Sequence, residues 1–422
     1  MPAAISNQTS PSLLDPPALG SSVFTSNMRL PVHRWFRYSA GFSAAWAEAI
    51  VASDAGDKPR VFDPFVGSGT TLIAAQVKGA ESIGLETHPL VRRICQAKLS
   101  WNSDPEELEQ RATAILRTAS PRVWSDPPVL LTKIFPPATL ATLVGLRDSI
   151  DAVQMDDGVD ELLWLALLAV LRPCSPVGTA QWQYVLPNKS KSRVAEPMAA
   201  FEAQVRMMAQ DMRAMPLDAA AASLSSEDAR TAGNVDDDSI DLVITSPPYP
   251  NNFDYADATR VEMTFLGEIE RWGDLQESVR THLIRSCSQH MGGYDPAEAL
   301  EAPELTPIRS ELLDVYQRLA IERESRGGRK AYHTMVAAYF HDLSRTWIAL
   351  RRVCRRGSTV HFMVGDSAPY GVHVPVERWL GDLAINAGFS DWRFVKLRDR
   401  NTKWRNRKHR VPLQEGVLTV RG

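Results

Sequence analysis

Residues 241–249, Asp-Leu-Val-Ile-Thr-Ser-Pro-Pro-Tyr, constrain the fold more than any other stretch of the 422-residue chain. Leu242, Val243 and Ile244 make a short apolar run of the kind that fills a buried central strand. Pro247 and Pro248 end it, because two prolines in a row offer no N–H to a sheet ladder. A hydroxyl, a rigid turn and an aromatic ring therefore sit at a strand's carboxyl end, where ligands bind in open α/β sheets. The carbonyls of this turn can only accept, and so can the lone pairs of Ser246, which suits the two hydrogens of an exocyclic amine. Tyr249 offers a flat face for stacking a base. Alone, the same tetrapeptide is equally compatible with a strand and an ordinary Pro-rich loop.

Residues 61–87 carry the second signal. Val61 and Phe62 end a strand, Asp63-Pro64-Phe65-Val66-Gly67-Ser68-Gly69-Thr70-Thr71 follows, and Leu72 to Val77 reads as a helix. A strand, a glycine turn and a helix N-terminus make a pocket for a polar or anionic group, since glycine permits close backbone approach. The loop lacks the Gly-Lys-Ser/Thr ending of a P-loop and the full Gly-x-Gly-x-x-Gly spacing, which argues against a nucleoside triphosphatase and against a dinucleotide. Ser82 to Glu86 reads as the next strand, with a carboxylate about 20 residues past the loop, where a ribose-binding acid is expected.

The rest of the chain sorts around these two segments. Residues 1–22, rich in Pro, Ser and Ala, read as a poorly ordered arm. Residues 23–95 form the first part of an α/β domain, and residues 96–215 a mostly helical insertion, with helical patterns over Pro105–Thr118, Pro137–Ala152, Asp160–Leu171 and Ala195–Met215. Proline clusters, among them Pro173-Cys174-Ser175-Pro176, read as breaks between the helices. Within the insertion, Gln181-Trp182-Gln183-Tyr184 with Lys189, Lys191 and Arg193 is either a nucleic-acid contact or a solvated loop. Residues 216–422 complete the domain, with a polar helical excursion over 270–330. Asp228 falls at a third strand end, where it could accept from an adenine amino group, although alone it would be a surface acid. Tyr339 to Val353 reads as a helix, Ser358 to Val364 and Val411 to Val420 as strands, and Val376 to Ala387 as a helix.

Net charge is −3, so any nucleic-acid partner must be met by a local patch. The run from Arg393 through Lys396, Arg398, Arg400, Lys403, Arg405, Arg407, Lys408 and Arg410 supplies one and points to a polyanion. Cys95, Cys174, Cys287 and Cys354 lie far apart without metal-ligand spacing, which fits reduced thiols in a cytoplasmic protein and gives no reason to expect a metal. No apolar run reaches membrane-span length, and the N-terminus lacks the pattern of a secretory signal.

Together these residues resemble the S-adenosylmethionine-dependent amino-methyltransferases of DNA, the cytosine-N4 and adenine-N6 family. The resemblance implies a Rossmann-like α/β sheet with helices on both faces, here interrupted by the helical insertion. It implies S-adenosylmethionine as cofactor, held by Asp63, Phe65, Gly67, Ser68, Gly69, Thr70 and Thr71 of the loop, by Glu86 at the ribose and by Asp228 at the adenine. Tyr38, in the segment His33–Ser43, falls in the element that closes over the methionine end. Ser246, Pro247, Pro248 and Tyr249 match the catalytic motif. Double-stranded DNA is the implied partner, gripped by Arg398, Arg400, Lys403, Arg405, Arg407, Lys408 and Arg410, with a cognate restriction endonuclease in a restriction-modification system. The region that reads the target is residues 96–215, residues 270–330, or both.

Serine at the first catalytic position resembles the cytosine-N4 branch, whereas adenine-N6 enzymes usually carry Asp or Asn there. The chemistry itself suits either base. The amine is a poor nucleophile because its lone pair is delocalised into the ring; accepting both its hydrogens favours the pyramidal nitrogen of the transition state. A base inside a duplex must first be flipped out. Methylation of an RNA base and a non-catalytic nucleic-acid-binding subunit are the alternatives. Cytosine-C5 chemistry needs a thiolate, and Cys174, in the only Pro-Cys pair, lies inside the insertion away from the strand ends.

Overall fold

A computed structural model describes residues 24–38, 41–53, 58–180, 184–216, 218–328, 330–400 and 411–422. The strands among them are β1 (Val61–Asp63), β2 (Ser82–Leu85), β3 (Val177–Thr179), β4 (Val185–Ser190), β5 (Ala222–Ser225), β6 (Ile240–Thr245), β7 (Cys354–Gly365), β8 (Asp391–Arg400) and β9 (Leu413–Arg421). Seven of them form one sheet in the order β5-β2-β1-β6-β7-β9-β8, and β3 and β4 form a separate hairpin. β5, β2, β1, β6 and β7 pair in parallel, while β9 runs antiparallel to both its neighbours. The fold is a Rossmann-like methyltransferase sheet. The chain winds outward from β1 through β2 to β5, then returns to β6 on the other side of β1. The reversal lies between β1 and β6, which is where such sheets open a ligand crevice.

The central strands are nearly uninterrupted in their apolarity because helices cover both faces. Alternate residues go to opposite sides. Val61, Leu242 and Ile244 pack with Trp46 and Ile50 of helix α1 (Ala44–Ser53) and Ala74 of α2 (Thr70–Val77). Phe62 and Val243 pack on the other face with Leu343 and Trp347 of the long helix Tyr332–Val353, and Ile240 joins them because the register shifts between it and Leu242. Trp347 stacks on Phe362 of β7 with ring centres 4.5 Å apart.

Between β2 and β5 the chain forms α3 (Pro89–Leu99), α4 (Pro105–Thr118), α5 (Val129–Ile134), α6 (Pro137–Asp151), α7 (Gly158–Cys174), the β3–β4 hairpin and α8 (Pro197–Ala214). Helix α7 is buried on nearly all sides, and its Leu162, Leu163 and Leu165 share one apolar cluster with Leu90, Val91 and Ile94 of α3 and with Leu72 of α2. The inserted helices are thus fused to the glycine-turn side of the sheet by a continuous core. Asp211 of α8, almost wholly buried, accepts from Arg34 Nε at 2.9 Å, Trp35 Nε1 at 2.9 Å and Val32 N at 3.3 Å. The insertion therefore holds the segment that leads to Tyr38.

Four readings of local structure change. Helix α7 runs through Pro173 to Cys174, because a proline in a helix's last turn disturbs little of the ladder. The polar–aromatic–basic segment contains the β3–β4 hairpin, and Gln181-Trp182-Gln183 at its tip lie outside the described residues. The long helix starts at Tyr332, seven residues before the apolar pattern that signals it. The first half of the basic run, Asp391–Arg400, is the edge strand β8, where charged side chains discourage further strand pairing. Residues 1–22 and Lys403, Arg405, Arg407, Lys408 and Arg410 also lie outside the described residues.

Candidate active site

Register brings the functional segments to one rim. Val61 pairs with both Ser82 and Leu242, and Leu85 pairs with Ser225, so β5, β2, β1 and β6 end side by side. Asp228, Glu86, the glycine turn and Ser246 follow those ends in the same spatial order.

Asp63 closes β1 and is fully buried. It accepts from Thr71 Oγ1 at 2.6 Å, Thr245 Oγ1 at 2.5 Å and Phe65 N at 3.0 Å. It therefore ties the glycine turn, the start of α2 and the end of β6 together. Burial pushes its carboxyl up to about 6 against those three hydrogen bonds. Gly67 and Gly69 both take positive φ, 53° and 94°. A Cβ on Gly67 would lie 3.3 Å from the Tyr38 ring, and one on Gly69 would lie 3.0 Å from Cys95 Sγ, so both positions need glycine for conformation and for space.

Gly67 N donates to Glu86 Oε2 at 3.0 Å and His88 N donates to Glu86 Oε1 at 2.9 Å. Each oxygen keeps a lone pair for a further donor. Burial pushes the Glu86 carboxyl up to about 7, against the two amides. Asp228 is gripped by Arg230, whose Nε lies 2.9 Å from both carboxylate oxygens. Burial alone would raise its pKa, but the hydrogen bonds and charge of Arg230 hold it below the usual carboxylate range.

At the end of β6, Ser246 Oγ donates to the carbonyl of Met363 in β7 at 3.2 Å. Asp254, five residues after Tyr249, caps the next short helix through Ala256 N at 3.2 Å. Its own amide donates to the Tyr184 hydroxyl at 2.8 Å, which docks the β3–β4 hairpin on the segment after the double-proline turn.

One cleft of about 660 Å³ joins these parts. Its walls include Tyr38, Phe65, Gly67, Glu86 and Asp228 on the loop side, and Ser246 and Pro248 on the double-proline side. The glycine turn and the double-proline turn thus open onto the same space. Asp63, Ser68, Gly69, Thr70 and Thr71 stand behind this wall, as does Pro247. Tyr249 is half-buried beside the cleft, beneath the Arg400 guanidinium. Arg398 and Arg400 of β8 both turn toward Glu415 on β9, with Arg398 Nη2 at 2.6 Å.

Other wall residues were not singled out from the sequence. Thr87 and His88 follow Glu86, Tyr255 follows the catalytic turn, and His282, Leu283 and Ile284 come from the polar excursion. Tyr255, in Phe253-Asp254-Tyr255, sits close enough to the catalytic motif for its aromatic character to have been a signal. His282–Ile284 carries none.

Residues 18–97 match the DNA methylase family of N6/N4 enzymes. The Type II methyltransferase M.AvaI of Nostoc sp. is 24% identical over 399 residues, covering 87% of this chain and 81% of its own. The Type II methyltransferase M.BsoBI of Geobacillus stearothermophilus is 22% identical over 421 residues, covering 89% of this chain and 82% of its own. The match spans the N-terminal segment, the glycine turn and the acid after β2, and together with the two relatives it supports an amino-methyltransferase of the N4/N6 family of DNA methylases.

Proposed function

We propose that the protein transfers a methyl group from S-adenosylmethionine to the exocyclic amine of a base flipped out of duplex DNA, with cytosine N4 as the acceptor. The single observation that carries this reading is the shared cleft, with Gly67 and Glu86 on one side and Ser246 and Pro248 on the other. The missing Cβ at Gly67 leaves room beneath the Tyr38 ring, and the spare lone pairs of Glu86 suit a ribose diol, so the residues fit a nucleoside cofactor.

In this reading Glu86 accepts from the ribose hydroxyls and Asp228 from the adenine amino group. The loop from Asp63 to Thr71 shapes the cofactor's seat, and Tyr38 covers it. The bound cofactor supplies an electrophilic methyl group. Ser246, fixed by its hydrogen bond to Met363, accepts one amine hydrogen, and a carbonyl of the proline turn accepts the other. Both interactions strengthen as the nitrogen becomes pyramidal, so they favour the transition state over the bound base. Tyr249 stacks on the extruded base. Serine at position 246 is what supports cytosine over adenine.

The relatives' description as Type II methyltransferases supports a role in restriction-modification, with a cognate endonuclease as partner and the cytoplasm as the place of action. Residues 96–215 serve as the target-recognition region, since their β3–β4 hairpin touches the segment after the catalytic turn through Tyr184. The basic segment that continues β8 holds the DNA backbone. Sequencing DNA from a host expressing the protein, with detection that separates modified cytosine from modified adenine, tests the reading. A recurrent N4-methylcytosine in one sequence context is expected, and DNA without any modified base would contradict it.

A further inference from the structure

One part of the cleft wall, His282–Ile284, belongs to a segment outside residues 18–97, where the methylase match lies. Arg280 is almost wholly buried and donates through Nη2 to Asp254 Oδ2 at 2.8 Å, so one end of the segment is fixed to the residue that caps the helix after the catalytic turn. Five residues on, Arg285 donates from its backbone N to Asp342 Oδ2 at 3.0 Å and from Nη1 to Asp342 Oδ1 at 3.0 Å. Asp342 is fully buried in the helix Tyr332–Val353. Its Oδ1 also accepts from Arg230 Nη1 at 3.1 Å, and Arg230 is the residue that grips Asp228. Between the two arginines, His282, Leu283 and Ile284 line the cleft, the last two supplying its apolar part.

We infer that Arg280–Arg285 is a strap across the cleft, and that Arg285 is a positioning residue setting the apolar wall Leu283–Ile284 opposite Asp228 for a purine ring. The physical reason is the shared carboxylate. One buried Asp342 oxygen holds both Arg230 and Arg285, so the acceptor for the adenine amino group and the wall beside the ring take their places from the same atom. A flat, largely apolar ring with one polar edge is the ligand such a pair suits. Holding wall and acceptor before the ligand arrives removes the ordering cost from binding. The inference rests on the cofactor reading of the cleft and adds to it the residues that set its adenine side.

The test uses the full chain and two probes, S-adenosylhomocysteine and a duplex bearing the methylated sequence. Arg285→Met raises the S-adenosylhomocysteine Kd about tenfold and the KM for S-adenosylmethionine in proportion, while kcat at saturating cofactor and the duplex Kd stay within about twofold. Arg285→Lys recovers part of the loss, because an ammonium still reaches the Asp342 carboxylate as a point charge. Leu283→Ser leaves both ion pairs in place and gives the same selective loss of cofactor affinity. Should Arg285→Met fail to fold, Leu283→Ser decides the matter. Cofactor affinity within twofold of wild type in the folded variants overturns the strap. So does an equal loss for cofactor and duplex, which is what a merely structural role gives. A wild-type protein that binds no S-adenosylhomocysteine overturns instead the cofactor reading beneath it.

Discussion

Arg400 lies across the ring of Tyr249, its guanidinium carbon 4.9 Å from the ring centre. The same guanidinium donates to the Asp366 carbonyl at 2.8 Å and lies 3.5 Å from a Glu415 oxygen. The last residue of the edge strand therefore reaches under the catalytic turn and covers one face of its aromatic side chain. Stacking of an extruded base needs only the other face. Tyr249→Ala is expected to weaken the complex with a duplex whose target base is mispaired by about 1–3 kcal/mol. Arg400→Gln, which removes the cation from the ring, costs about 0.5–1 kcal/mol in the same titration. Unchanged affinity in both variants would remove Tyr249 from the base-binding site.

Ser246 Oγ donates to Met363 O, and in the proposed reaction its lone pairs accept from the amine. Ser246→Ala should lower kcat about 10²-fold, in the range seen when one transition-state hydrogen bond is lost. Cofactor affinity should stay near that of the wild type. Single-turnover methyl transfer with cofactor and DNA both saturating is the measurement, and an unaltered rate would count against the role.

Glu86 gives the protein a pH dependence. Its carboxyl is pushed up to about 7 by burial, above the ordinary value of 4.5. Between those two values the folded protein binds a proton that the unfolded chain does not. Its contribution to stability therefore falls as pH rises through the window, and the cofactor-free protein gains from acid here. In the proposed site affinity runs the opposite way, because ribose hydroxyls bound there need the carboxylate as acceptor. Cofactor binding should weaken as pH falls below about 7. Glu86→Gln should bind cofactor more weakly and show neither trend at this site. Cofactor titrations and thermal melts between about pH 5 and pH 8 check both signs.

Asp63 is a support for the site. In Asp63→Ala, Thr245 and the Phe65 amide would be left without an acceptor, while the Thr71 hydroxyl keeps the Ile244 carbonyl at 2.9 Å. A loss of about 3–5 kcal/mol in denaturant unfolding is expected, since buried unsatisfied donors each cost about 1–3 kcal/mol. Asp63→Asn keeps one acceptor oxygen and should fall between wild type and the alanine variant.

The basic segment after β8 is tested by salt. Replacing Arg405, Arg407 and Lys408 with alanine should weaken duplex binding for every sequence alike. The slope of log Kd against log salt should fall by roughly one unit for each phosphate that is no longer neutralised. A slope equal to that of wild type would assign the three residues to a solvated face.

Much of this site can be read along the chain because its chemistry is local. Pro247 and Pro248 must end a strand whatever surrounds them, and Gly67 and Gly69 must turn where other residues would be strained. What escapes such reading depends on distant partners. Leu283 and Ile284 are ordinary apolar residues; they reach the cleft because Arg280 finds Asp254, 26 positions away, and Arg285 finds Asp342, 57 positions away. Tyr38 is held by way of Arg34 and Asp211, separated by 177 positions. Strand β8 is hidden for a different reason. Its half-buried Trp392, Phe394, Val395 and Leu397 alternate with exposed Arg393, Lys396 and Arg398, a strand pattern masked by the density of charge around it. The hairpin β3–β4 pairs only with itself, and its short strands, Val177–Thr179 and Val185–Ser190, give little periodicity to find.

The shared cleft predicts that methyl donor and acceptor amine meet on one protein without further components. The direct measurement supplies purified protein with isotopically labelled S-adenosylmethionine and duplex DNA, then digests the DNA and identifies the labelled nucleoside. Label in N4-methyl-2′-deoxycytidine, lost in Ser246→Ala, is the result expected. Duplex DNA that stays unlabelled while the protein binds both cofactor and DNA would contradict it.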